Sequence, residues 1–577
     1  MRQDKSPTGD AADRGTLVLS PDGITLSAPI GTPVLFVLQE GGVSLSASCG
    51  GHGRCGECRI RFLDRPPDPT PSDRAHIEPD DLRAGWRLAC AHPLSKTVRI
   101  EVPRHIGELA NKARSEIPPA EALDPIVRAV SVHLEDPTRS VAPPPAVQVR
   151  NALPSVRRLS LHAIRRAAQL RKETRFDTSA IFDGNEVLDL QATPAPAVFG
   201  LAVDVGTTTL AVHLFDLLTG RRRAAAAGRN PQRRFGADVI SRIGHVRTAG
   251  NTGLEALRNA VVGGIHRLID RTISEASIRA ESIYAATIVG NPTMIHLLLG
   301  VDPRGIDVSP YVPAFLASIR CRGSELSLPM HPRALTVTLP AVSAYIGADI
   351  VAGVLSTGLV DRRGASLFLD VGTNGEIVLA RDGRLMACST AAGPALEGAS
   401  IAHGMPALDG AIASVRVEGG RIGCRTIGDA SPIGLCGTGL VSAVAKLRAA
   451  GVIDDAGRLR SLPPLADRLE GEGKDRRFRL SDHAPSVCLH QRDVREFQLA
   501  KAAVRSGIEV LLERANLSAS ALDRVLIGGA FSVGLSGADL MTTGFLPPVD
   551  PSVVRAVGDT AGRGAASVLL DRRRLEN

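Results

Sequence analysis

Two kinds of hydrophobic pattern divide this chain. Up to about residue 197 the apolar runs are short and set apart by polar or proline-rich stretches; from 198 onward apolar strands alternate with long helical stretches, an α/β signature. In the first part, residues 16–19 and 24–28 predict short strands and 34–40 a helix. A cysteine- and glycine-rich loop follows, then strands at 60–62 and 98–102, which together define a small module over 15–103. Residues 104–124 are polar, contain Pro118-Pro119 and read as a linker. A strand-like 126–134, a proline-rich turn at 141–145 and an arginine-rich helical stretch over 157–175 predict a small middle α/β domain over 125–197. Residues 454–485, rich in proline and charge, predict a surface excursion from the large domain at 198–577.

Within that large domain one pattern occurs twice. FGLAVDVGTTTLAVHLF (199–215) and SLFLDVGTNGEIVLA (366–380) each read as an apolar strand, an aspartate, a Gly-Thr turn and a second apolar strand. Their aspartates, Asp204 and Asp370, lie 166 residues apart, and the repeat predicts two similar half-domains facing each other. The physical logic is a phosphate cradle. Gly206 and Gly372 permit tight turns whose N–H groups face outward, while Thr207, Thr208, Thr373 and Asn374 add side-chain donors. Asp204 and Asp370 are placed to hold Mg²⁺, mainly through water.

Two more glycine signals follow. In GLCGTGLVSAVAKL (434–447), Gly437, Thr438 and Gly439 open a helix whose N-terminus can face phosphate. In RVLIGGAF (524–531), an apolar strand ends in Gly528-Gly529, which suits close approach of an adenine or ribose to the backbone. Each glycine pair alone is equally an ordinary tight turn. In this order, however, the set resembles the actin, Hsp70 and sugar-kinase (ASKHA) ATPase superfamily, which implies two RNase H-like halves with ATP between them.

Composition sets the class. At 577 residues the chain is long enough for three or four domains, and 44% apolar content is enough for their cores. No run of 18 apolar residues suggests a membrane span, the first residues lack the apolar core of a secretory signal, and nine cysteines are too few for a disulfide framework, so a reducing cytoplasm is expected. The net charge of +8 comes almost wholly from spread-out arginines, and aromatics are only 3%, which argues against nucleic acid. The dense 157–175 stretch reads as a solvated helix face or as a docking face for an acidic protein.

Four cysteines carry the clearest chemistry. Cys49, Cys55, Cys58 and Cys90 are spaced C-x5-C-x2-C-x31-C, with glycines at 50, 51, 53 and 56. A long first loop, a C-x2-C pair and a distant fourth cysteine are the pattern of one [2Fe–2S] cluster, and the glycines let backbone N–H groups approach its sulfurs. The first gap, one residue longer than in plant-type ferredoxins, resembles that of adrenodoxin-like ferredoxins. Zinc is the competing reading, but structural zinc takes two close pairs and Cys90 has no paired neighbour. His52 reads as an exposed loop residue. Cys321, Cys388, Cys424, Cys436 and Cys488 read as buried apolar fillers.

A ferredoxin module joined to such an ATPase resembles the reductive activators of corrinoid proteins. The resemblance covers nearly the whole chain: SCGGHGRCGEC (48–58), CAHPL (90–94), GLAVDVGTTT (200–209), NPQRRFGADVISRI (230–243), VGNPTMIHLLLG (289–300), IGADIVAGVL (346–355), LDVGTNGEI (369–377), AAGPALEGASIAHGM (391–405), GLCGTGL (434–440), RDVREFQLAKAAVRSGI (492–508) and IGGAF (527–531). It implies a β-grasp ferredoxin, a linker, a middle domain and an ASKHA ATPase. The implied activity is ATP-driven delivery of an electron to inactive Co(II), restoring Co(I). It further implies a corrinoid protein or methyltransferase as partner, an upstream reductase or ferredoxin as electron source, and a homodimer. Asn291, Asp349, Glu376 and Glu397 lie inside the shared motifs as candidates to position the attacking water, with helix capping or a structural hydrogen bond as the alternative role. Asp204, Asp370, Asn291 and Glu397 form the expected catalytic set. Competing functions are ATP-driven electron donation to another low-potential enzyme, a small-molecule kinase with an accessory ferredoxin, and a chaperone-like switch.

Overall fold

The computed structural model describes residues 13–20, 23–41, 43, 45, 47, 51–54, 56, 58–77, 79–102, 123–135, 143–172, 177–192 and 196–576, the last range without 373, 399, 484, 485, 530, 531 and 533. Cys49, Cys55 and Thr373 lie outside the described residues, as does nearly all of the expected linker. The chain divides into two compact units, Met1–Ile106 with the short segment Arg233–Ala237, and Gly107–Gln232 with Asp238–Asn577. Among the described residues no helix is long and apolar enough to cross a membrane.

The first unit is a five-stranded mixed sheet. Its strands are β1 (Arg14–Ser20), β2 (Thr25–Pro29), β3 (Arg59–Phe62), β4 (Trp86–Leu88) and β5 (Thr97–Glu101), in the order β2-β1-β5-β3-β4. β1 pairs antiparallel with β2 and parallel with β5, the β-grasp arrangement. Every second residue of β1 is buried, which brings Leu17 and Leu19 under the helix Val34–Glu40. That helix contributes Val34, Leu35, Val37 and Leu38 to a core shared with Ile60, Leu88 and Ile100.

The segment between Cys58 and Cys90 is fixed by one fully buried carboxylate. Asp73 accepts from Thr70 N (2.7 Å), Thr70 Oγ1 (2.7 Å) and Leu88 N (2.7 Å), and pairs with His92 Nε2 at 2.7 Å. Burial pushes its pKa up, but the bonds from His92, Leu88 and Thr70 outweigh this and hold it at about 2. Asp73 thereby locks the helix Pro71–His76 to the strand that leads into Cys90.

In the second unit, residues 128–191 form a four-stranded sheet of β6 (Arg128–His133), β7 (Arg158–Leu159), β8 (Asp177–Phe182) and β9 (Glu186–Gln191), ordered β6-β8-β9-β7. The arginine-rich stretch is helical over Leu161–Lys172 and buries Ala163, Ala167 and Leu170, an i, i+4, i+7 stripe that turns Arg165 outward. This sheet is bolted to the larger fold C-terminal to it. Glu186 receives Arg322 Nη2 at 2.5 Å and Arg333 Nη2 at 2.6 Å, and Ile181 and Leu188 share one apolar cluster with Phe215, Tyr284 and Leu569.

The rest is a duplicated fold. The first half contains β10 (Phe199–Val205), β11 (Thr209–Asp216), β12 (Arg222–Arg229), β13 (Ile283–Gly290), β14 (Arg320–Arg322) and β15 (Leu335–Thr338), in the order β12-β11-β10-β13-β15-β14. The second half opens with β16 (Ala365–Val371), β17 (Gly375–Arg381) and β18 (Arg384–Thr390). Two small sheets come next, β19 (Ala411–Glu418), β20 (Arg421–Thr426) and β21 (Gly434–Leu435), then β22 (Leu469–Glu470), β23 (Arg477–Arg479) and β24 (Cys488–His490). β25 (Arg524–Gly528) and β26 (Val554–Gly558) complete the order β18-β17-β16-β25-β26. In both halves an antiparallel meander of three strands is extended by two parallel strands from its first member, the RNase H-like order.

The expected surface excursion over 454–485 is largely exposed among its described residues, but it is anchored in the core. Leu459, Leu465, Phe478 and Leu480 are buried in the main cluster of the second half. Their dense charged neighbours pair with one another, as Arg477 and Arg479 do with Glu470. Of the five cysteines read as fillers, Cys436 and Cys488 are buried, while Cys321, Cys388 and Cys424 are half-buried.

Replacing Asp73 by Ala strips the acceptor from four donors in one apolar core. The expected cost is about 3 kcal/mol. The N-terminal unit, followed by fluorescence of its single tryptophan Trp86, should unfold at a lower temperature than wild type, while thermal unfolding of the second unit, followed by far-UV circular dichroism, stays in place.

Candidate functional site

The duplicated hairpins put their aspartates in equivalent places. Asp204 ends β10 beside Val289 of the parallel strand β13; Asp370 ends β16 beside Gly528 of the parallel strand β25. Carboxyl ends of parallel strands are where α/β sheets bind ligands. A third carboxylate joins them. Asp349 lies in the first turn of the helix Ala348–Thr357, where desolvation, then the charges of Asp370 and Asp204, raise its pKa to about 7. Glu376, opposite Asp370 across the hairpin, is pushed well above the usual carboxylate range by desolvation and by Asp349 and Asp370, with Ser389 bonding to it in the opposite sense. Four acidic side chains from both halves thus crowd one cleft.

The first hairpin turn is held from behind. Asn230 Nδ2 donates to the Gly206 carbonyl at 2.9 Å, and Asn230 N donates to the Thr208 carbonyl at 2.9 Å. Arg242, fully buried, donates from Nη2 to the Thr207 carbonyl at 2.6 Å, with its Nη1 3.2 Å from Gln232 Oε1 and 3.0 Å from Met294 Sδ. Three successive carbonyls are satisfied on one side, so the turn's N–H groups are left for the other. Asn291 caps the helix Pro292–Leu299 by accepting from Met294 N, and its Nδ2 donates to Thr207 Oγ1 at 2.8 Å. It fills the capping role and orients a turn hydroxyl at once.

The expected residues Thr208 and Glu397 meet across the halves: Thr208 Oγ1 donates to Glu397 Oε2 at 3.3 Å. In the second hairpin, Gly372 N donates to the Asn374 carbonyl at 2.9 Å, and a Cβ on Gly372 would stand 3.8 Å from Glu397 Oε1. Gly437, Thr438 and Gly439 open the helix Gly437–Ala449, and Thr438 Cγ2 lies 4.0 Å from the Cβ position of Gly534, a few residues after the Gly528-Gly529 pair. The glycines of 528–529 have packing reasons of their own. A Cβ on Gly528 would strike the Phe368 ring at 2.8 Å, and Gly529, with φ +86°, would put one 2.8 Å from Asp370 Oδ1.

Asn230 and Arg242 escaped assignment from sequence. Arg242 sits in a helix among many arginines; the signals that could have marked it are its place in the shared motif 230–243 and its position on the apolar face of Val239, Ile243 and Val246.

In the cluster loop, Cys58 is buried and Cys90 half-buried, while His52 is exposed. Gly51, Gly53 and Gly56 have φ of +93°, +70° and +70°. Side chains there would meet Phe36 Cζ at 3.2 Å, Ser72 Oγ at 2.6 Å and His76 Cβ at 2.9 Å. A loop of left-handed glycines hemmed in on its outer side fits a cluster wrapped by backbone.

Comparison with known proteins follows the same division. A family model for the 2Fe-2S iron-sulfur cluster binding domain matches residues 17–95. One described as the RACo middle region matches 199–362, and one described as the C-terminal domain of RACo, the ASKHA domain, matches 364–577. The corrinoid activation enzyme RamQ of Eubacterium limosum is 29% identical over 549 residues, covering 92% of this chain and 89% of that protein. The [Co(II) methylated amine-specific corrinoid protein] reductase of Methanosarcina barkeri is 24% identical, covering 66% and 71%. A solved structure titled reductive activator for corrinoid, iron-sulfur protein superposes with a TM-score of 0.71 at 31% identity, covering 97% of this chain and 93% of that one. Cysteine loop, paired hairpins and end-to-end similarity lead to one assignment: the chain belongs to the family of reductive activators of corrinoid proteins.

Proposed function

We propose that this chain reductively activates a corrinoid protein at the expense of ATP, with an electron passing by way of a [2Fe–2S] cluster to convert inactive Co(II) into Co(I). The observation that carries this reading is the presence, on one chain of that family, of a ferredoxin cluster loop and a duplicated Asp-Gly hairpin clamp. Cys49, Cys55, Cys58 and Cys90 are the proposed thiolate ligands. The turns at Gly206–Thr208 and Gly372–Asn374 hold ATP phosphates, with Gly437, Thr438, Gly528 and Gly529 on the nucleoside side. Asp204 and Asp370 hold hydrated Mg²⁺. Glu397, bonded to Thr208, and Asn291, bonded to Thr207, are placed to order water near the phosphates. A reductase or ferredoxin supplies the electron, and the working form is a homodimer.

If the cobalt couple lies below that of the cluster, the transfer needs a source of energy. A plant-type cluster has a potential near about −400 mV. Moving one electron uphill by about 200 mV costs roughly 4.6 kcal/mol, at about 59 mV per tenfold. A ferredoxin alone would leave such an equilibrium on the oxidised side. Closure of the two halves around nucleotide is the element able to bias the partner's cobalt environment.

Anaerobic titration of a cob(II)alamin protein with reductant tests the reading. Reduction to Co(I) is expected with ATP and this protein together, and to fall to background with Cys55→Ser, Asp204→Ala or Asp370→Ala. Equal Co(I) formation without nucleotide would overturn it.

The buried guanidinium behind the first turn yields a narrower expectation. Arg242→Met frees the Thr207 carbonyl, so affinity for an ATP analogue should drop at least about tenfold. The cluster spectrum should not change, and calorimetry measures the affinity.

Asp349 gives the pH dependence. Its folded pKa of about 7 is raised, so its contribution to stability is complete below about 4 and is lost as pH rises through about 7. Mg²⁺ competes with that proton. Mg²⁺ affinity measured with a non-hydrolysable nucleotide should therefore climb from about pH 5 to about pH 7 and then level off, and Asp349→Asn should flatten the rise.

A further inference from the structure

Away from the nucleotide cleft, the four-stranded sheet meets the first ATPase half at a cluster of nitrogen and oxygen donors. His162, Asp189 and His331 each bring one ligand atom to within 4.8 Å of the others. They come from three elements: the helix Leu161–Lys172, β9, and the turn before β15. Asp189 is 8% exposed and His331 3%, whereas the His162 side chain is 51% exposed and opens the cluster to solvent.

The carboxylate is already oriented. Tyr284 Oη donates to Asp189 Oδ2 at 2.6 Å, and Leu190 N donates to Oδ1 at 2.7 Å. Gln191 Nε2 in turn donates to the Tyr284 hydroxyl at 3.0 Å. His162 Nε2 stands 3.1 Å from Asp189 Oδ1. On His331, Nδ1 accepts the Arg333 amide N–H at 3.2 Å, while Nε2 is buried without a hydrogen-bond partner. A buried ring nitrogen in that state requires a reason, because nearly all buried polar atoms are bonded.

We propose that His162, Asp189 and His331 form a divalent transition-metal site, with Zn²⁺ its first occupant, that clips the four-stranded sheet to the first half of the ATPase. Two imidazoles and a carboxylate are a common zinc set, leaving a fourth position for water. Ligand bonds of about 2.0–2.2 Å require the three side chains to draw closer than they stand, a matter of side-chain rotation. Tyr284 and Leu190 supply the outer hydrogen bonds that hold a ligating carboxylate in place. Burial lowers the His331 pKa to about 4, so the ring is neutral at physiological pH, the form that ligates. Coordination through Nε2 puts the ring proton on Nδ1 and gives up the long Arg333 contact. No electron moves.

The test uses the whole protein with its cluster intact, under anaerobic conditions. After treatment with a mild chelator, Zn²⁺ is titrated against a chromophoric competitor, and retained zinc is counted after desalting. One Zn²⁺ per chain and a Zn²⁺-dependent rise in thermal midpoint are expected. His162→Ala, at the exposed edge, and His331→Gln should each weaken Zn²⁺ binding at least about tenfold and remove the thermal rise, with basal ATP hydrolysis unchanged. If the double variant retains as much zinc as wild type, or wild type retains none, the cluster is a hydrogen-bonded interface only and the proposal fails.

Discussion

Each half of the ATPase finishes its partner's core, and the remaining geometry of the cleft derives from that exchange. The helix Ala348–Thr357, which follows the first sheet, packs Ile350 and Val354 against Phe368, Val378 and Leu526 of the second. The helix Thr560–Leu570, which follows the second sheet, packs Ala565 and Leu569 among Ala202, Phe215 and Ala285 of the first, and the Ala565 carbonyl accepts Thr287 Oγ1 at 2.8 Å. The two helices meet backbone to backbone: a Cβ on Gly564 would be driven into the Ala352 carbonyl, and one on Gly353 into the Phe368 ring. Apolar burial of this kind is non-directional and tolerates rotation, whereas strand pairing does not. The halves are thus joined by helix packing rather than by continued strand pairing, and Asp349 stands in the first turn of one of these helices.

Electrostatics then sets the resting state of the cleft. Like charges from two sheets are held near one another in a partly desolvated space, where their repulsion is stronger than in water. Burial first, and then the neighbouring carboxylates, raise Asp349 and Glu376 toward protonation, which is one release; a bound cation would be the other. The backbone turns supply the opposite polarity, because Asn230 and Arg242 engage the carbonyls and leave the amides outward. The proposed magnesium nucleotide would complement both features, its cation the carboxylates and its phosphates the N–H groups. The Thr208–Glu397 bond already joins the halves across the same space, so the ligand would strengthen a contact the fold contains.

Much of this was legible in the chain because it obeys simple periods. Residues 34–40 read as a helix and form one; both Asp-Gly hairpins read as paired strands because their apolar residues are continuous on each side of a glycine turn. The cysteine loop announced itself by spacing and glycines. What stayed hidden was relational. Arg242 is one arginine among many until the fold points it at a carbonyl. Gly529 read as a glycine for close approach of a nucleoside, and the fold adds a second reason for it, since a Cβ there would stand 2.8 Å from Asp370 Oδ1. In 454–485 the charged residues are largely at the surface as read, and what stayed hidden was the anchoring of Phe478, which the pairing across β22–β24 turns inward. Glu397 was marked only by family resemblance, since a glutamate in a small-residue stretch has no period to betray it.

The attachment of the four-stranded sheet bears on how closure could reach beyond the nucleotide. Glu186 is clamped by two arginines of the first half and nearly excluded from solvent, and Asp183 adds a third bond to Arg322 at 3.1 Å. Breaking such a pair leaves uncompensated buried charge, at a cost of about 3–5 kcal/mol. A domain held so firmly moves with its neighbour. The second half meets the first through packed helices, the Thr287–Ala565 bond and the Thr208–Glu397 bond. Any relative motion of the halves would thus carry the four-stranded sheet together with the first sheet. A metal at His162, Asp189 and His331 would stiffen that attachment without touching the chemistry of the cleft.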